Sequence, residues 1–424
     1  MQKKNKKSLR IFKQLSAITP GGVNSPFRSF HEMEIPTLIF VKGKGSKVWD
    51  IDGSCYLDYL GAWGPAILGH AHPQVIQEAG KAIKNSPVLG VSTPWELEMA
   101  LLVQKAFPSM EMIRFVNSGA EAVEAAVRLA RGGTKRSLLV RFEGGYHGHG
   151  DSVLWSYGPE EHRSPKEVGV PEGMAEKTVC IPFNDFHALE EIFKKRGEEI
   201  AGLLVEPVTG SMGVILPLPG FLQQCRKLTS QYGAVLIFDE VLTGFRVAFG
   251  GAQERFGVRA DLTCLGKILG GGFPAGAYGG GEKLMEKLAP YGPVYQAGTF
   301  SGNPVTMRAG AAVLRLLSKP VVYKKLEKKT KTLLSGIKEA ALTKGIPVQT
   351  PYAGSLFSIL FSEQPVSNFQ DSLKIDVKQY ILFFQKMLKN EILFPPSASD
   401  AAVVSLAHTE SEIENTIKIF SQIW

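Results

Sequence analysis

Lys267 stands in the glycine-rich run Cys264-Leu265-Gly266-Lys267-Ile268-Leu269-Gly270-Gly271-Gly272. It follows by 28 residues Asp239, which closes the apolar run Ala234-Val235-Leu236-Ile237-Phe238. An amine kept out of water gives up its proton more readily and then attacks carbonyl carbon, the chemistry of a Schiff-base lysine. A carboxylate at the end of a buried strand holds a proton on a ring nitrogen. Lys267 and Asp239 together point to pyridoxal phosphate.

Three further groups of residues suit the same cofactor. Asn117-Ser118-Gly119-Ala120-Glu121 follows the apolar run Ile113 to Val116 and opens a helical pattern. A helix start offers free N–H groups and the positive end of the dipole to a phosphate, although serine is also an ordinary N-cap. Glu143-Gly144-Gly145-Tyr146-His147-Gly148-His149-Gly150-Asp151 offers an aromatic face from Tyr146 for a planar ring. Its His-x-His-x-Asp spacing lacks an ordered third ligand, so no metal is expected. Ala297-Gly298-Thr299-Phe300-Ser301-Gly302-Asn303-Pro304 has N–H groups and hydroxyls for a second phosphate contact, and alone reads as a turn. His70 and His72 read as packing and turn residues. Glu240, beside Asp239, needs a partner if buried, and Arg246 is the expected one in a structural link.

The elements that must position these groups follow from pattern. The 424 residues are 44% hydrophobic and 21% charged, enough core for two or three domains without disulfides. Leu138-Leu139-Val140, Gly202 to Val205 and Ala234 to Phe238 read as buried parallel strands. They alternate with helical patterns over 119–131, 187–195 and 218–231, as in an α/β domain whose ligands gather at the carboxyl ends of strands. Asp52-Gly53 reads as a hairpin turn. Residues 157–177 have no clear period and read as a long loop, either a lid over the site or a plain surface excursion. Ser355 to Phe361 reads as a strand, and Thr409 with Glu412 as the capping box of a last helix whose apolar face is Ile413, Ile417, Phe420 and Trp424. The expected division is an N-terminal segment 1–60, a large domain 61–315 and a small α+β domain 316–424.

Several function classes drop out. No apolar run approaches the length of a membrane span, and no apolar segment follows Lys3, Lys4, Lys6, Lys7, Arg10 and Lys13 as a secretory signal would require. Those six side chains, with no acid among the first 13 residues, account for most of the net charge of +8, so no nucleic-acid partner is expected. The four cysteines are scattered and form no CxxC pair, which fits a reducing, cytoplasmic setting.

Taken in order, these motifs resemble the class III aminotransferase family of fold-type I pyridoxal phosphate enzymes. The resemblance runs from Thr19 to the C-terminus. It is sharpest at Gly21-Gly22-Val23-Asn24-Ser25-Pro26-Phe27-Arg28, Trp63-Gly64-Pro65, the Tyr146 to His149 loop, Phe249-Gly250-Gly251, Tyr295 to Thr299 and Ser405 to Thr409. It implies a mostly parallel central sheet with helices on both faces, plus a smaller α+β C-terminal domain. It also implies that Lys267 bonds the cofactor and moves protons, and that Asp239 holds the pyridine nitrogen. Ser118, Gly119 and Ala120 then bind phosphate, Tyr146 covers the ring, His147 belongs to the cofactor-binding loop, and Ser211 lies near the cofactor. Thr299 reaches the phosphate of a neighbouring subunit in a homodimer with shared sites. Arg28, Trp63 and Asp400 fall on the substrate side, where an arginine fork matches a carboxylate.

The implied activity is an intramolecular amino transfer, an isomerisation of glutamate-1-semialdehyde to the tetrapyrrole precursor 5-aminolevulinate. It runs through the pyridoxamine and pyridoxal phosphate forms and a diamine, with a transient contact with glutamyl-tRNA reductase. Three positions depart from the family pattern: Ala120 for threonine, Ser211 for asparagine and Asp400 for glutamate. The alternatives are an ω-aminotransferase using 2-oxoglutarate, an amino-acid racemase on the same scaffold, and a catalytically silent binding protein.

Overall fold

The computed structural model describes residues 6–154 and 169–424. Contacts along the backbone gather into two units. One comprises Met1–Pro73, Val321–Val366 and Gln370–Trp424, and the other Gln74–Pro320 with Ser367–Phe369.

The first unit opens with the helix Lys6–Ser16, so described residues of the basic N-terminus are helical. Both carboxylate oxygens of Asp52 accept N–H groups there, from Lys7 at 2.8 Å and Ser8 at 2.9 Å. Asp52 lies in the turn between strands β2 (Lys47–Asp50) and β3 (Cys55–Asp58), which pair antiparallel as the Asp52-Gly53 signal predicts. Strand β1 (Phe40–Lys44) pairs with β2 on its other edge.

The second unit carries β4 (Met112–Val116), β5 (Leu138–Phe142), β6 (Thr178–Ile181), β7 (Ile200–Val205), β8 (Val235–Asp239), β9 (Leu262–Gly266) and β10 (Gly276–Gly280). Among the described residues they form one sheet in the order β4-β10-β9-β8-β7-β5-β6. Only β10 runs against the others. The near-continuous apolar runs of β5, β7 and β8 are buried along their whole length, as parallel strands covered by helices require. The expected helices are present as Gly119–Thr134, Phe186–Arg196 and Phe221–Tyr232. The first of these packs on β7 to β10 through Ala122, Val123, Ala126, Val127 and Ala130, all buried. Alanine at three of these five positions lets the helix axis approach the sheet closely.

The chain then returns to the first unit. Strands β11 (Tyr352–Ala353), β12 (Leu356–Phe357) and β14 (Ala402–Val403) make a three-stranded sheet, while β13 (Ile392–Leu393) adds parallel to β3. The strand expected over 355–361 is thus only two residues long. Its backbone changes partners: Ser355 O accepts from Val404, whereas Ser358 donates to Pro351 and Leu360 pairs with Gln349, which interrupts a single ladder. The last helix, Glu410–Gln422, begins at the expected capping box, with Glu412 N donating to Thr409 Oγ1 at 3.1 Å and Thr409 N donating to Glu412 Oε2 at 2.9 Å. Ile413 and Phe420 are buried, and Ile417 and Trp424 pack against the same core. Of the loop 157–177, residues 157–168 lie outside the described residues, and Glu172–Ala175 form one helical turn. Among the described residues no helix is long and apolar enough to cross a membrane.

Candidate active site

Sheet register brings the predicted residues of the second unit together. Asp239 ends β8 opposite Cys264 of β9, and Lys267 follows the last residue of β9. On the other side of β9, Gly276 of β10 pairs both with Gly266 and with Val116 of β4. Ser118 and Lys267 therefore leave the same end of the sheet, the carboxyl end of its parallel strands, where an α/β sheet places its ligands. Gly276 runs so close to Ser118 that a Cβ there would lie 2.0 Å from the Ser118 carbonyl oxygen. Lys267 itself is half-buried with φ +47°, a left-handed conformation that costs a lysine about 1–2 kcal/mol. Strain of this kind gathers at functional sites.

Ser118 caps the helix Gly119–Thr134, its Oγ accepting from Glu121 N at 3.1 Å. Gly119 and Ala120 are the first residues of that helix, so their N–H groups have no partner within it. Ala120 packs on Gly148, where φ is +91° and a Cβ would lie 2.6 Å from the Ala120 methyl.

Asp239 is 4% exposed and His147 is 3% exposed. His147 Nδ1 lies 2.7 Å from Asp239 Oδ2, a contact across 92 residues of sequence, and Asp239 Oδ1 accepts from Val241 N at 3.0 Å. Burial is the main force holding the imidazole pKa down, with the charge of Arg141 acting in the same direction and the bond to Asp239 opposing both. A neutral imidazole then donates its Nδ1–H to the carboxylate. His147 so placed supports Asp239, a more specific place than the cofactor-binding loop position the resemblance implied.

Sequence reasoning missed Glu206. This acid follows β7 directly, as Asp239 closes β8. Its Oε1 accepts Tyr146 N at 2.8 Å and its Oε2 accepts Gly210 N at 3.3 Å, which pins the turn carrying Ser211 to the Tyr146 loop. Burial, then the negative charge of Asp239, pushes its carboxyl up to about 8, and the positive charge of Lys267 pulls the other way. Glu206 thus feels both residues of the original pair. The signal in the sequence was an acid immediately after a buried strand, Val205-Glu206-Pro207.

Tyr146 is 38% exposed, and Thr299 is exposed on the segment leading to the helix Pro304–Leu317. Arg28, Trp63 and Asp400 belong to the first unit. There Phe27, beside Arg28, meets the Trp63 ring at a centroid distance of 5.8 Å. Ala62 and Trp63 have φ of +56° and +63°, two successive left-handed residues that only a constrained turn retains. The backbone of Val403, three residues past Asp400, donates to Tyr59 O at 2.9 Å, joining the two segments.

Comparison with known proteins follows the same lines. The family model for class-III aminotransferases matches residues 29–423. A glutamate-1-semialdehyde 2,1-aminomutase of Desulfitobacterium hafniense is 48% identical over 416 residues, 98% of this chain and 97% of the relative. An ω-transaminase from Sphaerobacter thermophilus superposes with a TM-score of 0.91 at 30% identity, covering 98% of this chain and 97% of the other. A transaminase solved with pyridoxal phosphate bound superposes with a TM-score of 0.89 at 28% identity, covering 99% and 97%. A lysine and a carboxylate at the ends of adjacent parallel strands, and a match spanning nearly every residue, have one common explanation: the chain belongs to the class-III aminotransferase family.

Proposed function

We propose that this protein converts glutamate-1-semialdehyde to 5-aminolevulinate by intramolecular amino transfer, an isomerase reaction of tetrapyrrole biosynthesis. The carrying observation is the 48% identity to an aminomutase of that name over 98% of the chain, together with Lys267 and Asp239 standing at the ends of adjacent strands. Ala120, Ser211 and Asp400 leave that pair untouched.

The residues present fit pyridoxal phosphate. Asp239 is a buried carboxylate, and the loops around it present an aromatic side chain, a lysine and a capped helix start. When bound, the cofactor supplies an electron sink that exchanges an amine with a carbonyl carbon. In this reading Lys267 provides the carbonyl-reactive amine and carries protons at Nζ. Asp239 holds the proton on the ring nitrogen, with His147 orienting its Oδ2. Ser118 and the N–H groups of Gly119 and Ala120 hold the phosphate, Tyr146 covers the ring and Ser211 lies beside it. Arg28 takes the substrate carboxylate, with Trp63 and Asp400 shaping that side. Thr299 serves the phosphate of the second subunit in a homodimer. The enzyme works in the cytoplasm, and glutamyl-tRNA reductase is its transient partner for handing over an unstable aldehyde.

The test is stoichiometric. The purified protein, supplied with pyridoxamine phosphate and glutamate-1-semialdehyde but no amino donor or acceptor, should form 5-aminolevulinate over many turnovers. Product that appears only with 2-oxoglutarate or an added amine would replace this reading with an ω-aminotransferase.

A further inference from the structure

We propose that Arg141 and Glu206 are positioning residues, gripping the two ends of the Gly145–Tyr146 peptide group and thereby fixing where Tyr146 and His147 stand against Asp239. The proposal rests on the cofactor reading above.

Arg141 lies on β5, and its guanidinium donates through Nη2 to Gly145 O and through Nη1 to Val153 O. Glu206 accepts the N–H of Tyr146 at 2.8 Å. Gly145 C=O and Tyr146 N–H are the two poles of a single peptide group. A cation therefore faces its oxygen and a carboxyl faces its hydrogen, each at the pole that suits it. Hydrogen bonds in such a chain polarise one another at low dielectric.

Cost supports a purpose other than stability. Arg141 is 1% exposed and Glu206 is 8% exposed, and the guanidinium donates to backbone carbonyls rather than to a carboxylate. The Arg141 Nε has no hydrogen-bond partner among them. Removing a guanidinium from water costs several kcal/mol, and an apolar side chain of similar size would fill this strand position at no such cost. Among the described residues, the groups that Arg141 holds are two carbonyls flanking the loop from Gly145 to Val153. His147 follows the gripped peptide by one residue and completes the line to Asp239 at 2.7 Å. The charge of Arg141 also helps burial keep that imidazole neutral.

The test compares Arg141→Met, Arg141→Lys, Glu206→Leu and Glu206→Gln with the parent in the full-length protein loaded with pyridoxal phosphate. The readouts are visible circular dichroism of the bound cofactor, the pH titration of its absorbance, its dissociation constant and the melting temperature. Arg141→Met and Glu206→Leu should each weaken cofactor retention about tenfold or more, alter the visible dichroism and move the absorbance titration. Glu206→Gln keeps an oxygen acceptor and Arg141→Lys keeps a cation, so each should recover most of the parental dichroism. Two results would overturn the proposal: parental dichroism and titration in both disruptive variants, or a fall in melting temperature as their sole change. Should Arg141→Met fail to fold, the contrast between Glu206→Leu and Glu206→Gln decides. A parent that binds no pyridoxal phosphate would instead overturn the cofactor reading.

Discussion

Asp239 and Glu240 are adjacent acids at the end of one buried strand, yet their surroundings divide them. Glu240 is fully buried, and its carboxylate accepts from Ala252 N at 2.7 Å, Gln253 N at 3.0 Å and Thr243 Oγ1 at 2.7 Å. Gly251, with φ +60°, is pressed so close that a Cβ would lie 2.2 Å from Glu240 Oε2. These donors to Glu240 all come from the next 13 residues of its own chain. Asp239 accepts instead from Val241 N and from His147, which arrives on a distant loop. Neighbours in a strand point to opposite sides, so one acid ties a local turn and the other meets the distant loop that carries His147. Burial of an acid thus says little about its job, whereas the origin of its donors says much.

The largest test of this division is Lys267→Ala. It should abolish turnover while the melting temperature stays within a few degrees of the parent. Turnover at the parental rate would remove the site from this end of the sheet. Asp239→Asn comes next. It keeps the volume and an oxygen for His147 but loses the charge, so kcat should fall by about 10²–10³, with little change in a thermal melt. A loss of stability without loss of kcat would make Asp239 a second structural acid.

Glu240→Ala should do the reverse. It strands buried donors at about 1–3 kcal/mol apiece, so denaturant unfolding should report a loss of about 3 kcal/mol or more. Turnover per folded molecule should stay within a few-fold of the parent. A protein of parental stability with crippled turnover would break the comparison.

Acidity gives a finer measure. Burial pushes the Glu240 carboxyl up to about 7 from an ordinary 4.5, against the pull of its hydrogen bonds. The folded state therefore binds this proton more tightly than the unfolded chain does. The stability linked to it is full below pH 4.5 and is lost as pH rises through 7, amounting to about 3 kcal/mol at 1.36 kcal/mol per pH unit. Glu240→Gln cannot titrate. The difference in unfolding free energy between parent and variant should thus change between pH 4.5 and 7 and be flat on either side. A difference flat throughout would mean that Glu240 stays charged.

The smallest effect is expected at Ala120→Thr. A hydroxyl at the helix start can add one hydrogen bond to a phosphate, about 1 kcal/mol or fivefold in cofactor dissociation. Weaker retention would show that the contact between Ala120 and Gly148, rather than the phosphate, sets the size of this residue.

Much was legible before any coordinates. The apolar runs of β5, β7 and β8 announce buried strands because every residue in them is covered, and Thr409 with Glu412 announces a helix start through bonds spanning three residues. The long strand expected from Ser355 was not legible, since composition alone does not show that its backbone partners change from Val404 to Pro351. Glu206 was passed over because an acid after a strand carries no sign of what it will face.

The sequence by itself determined the reactive pair, the alternation of strands and helices, and the helix start at Ser118. These depend on residue type and on spacing within one element. Tertiary structure alone decided that His147 meets Asp239 across 92 residues, that Glu206 holds the loop of Tyr146, and that the donors to Glu240 come from its own following turn. Such contacts depend on sheet register and on which strand end lies beside which loop, and those are settled by packing of the whole unit rather than by any local pattern.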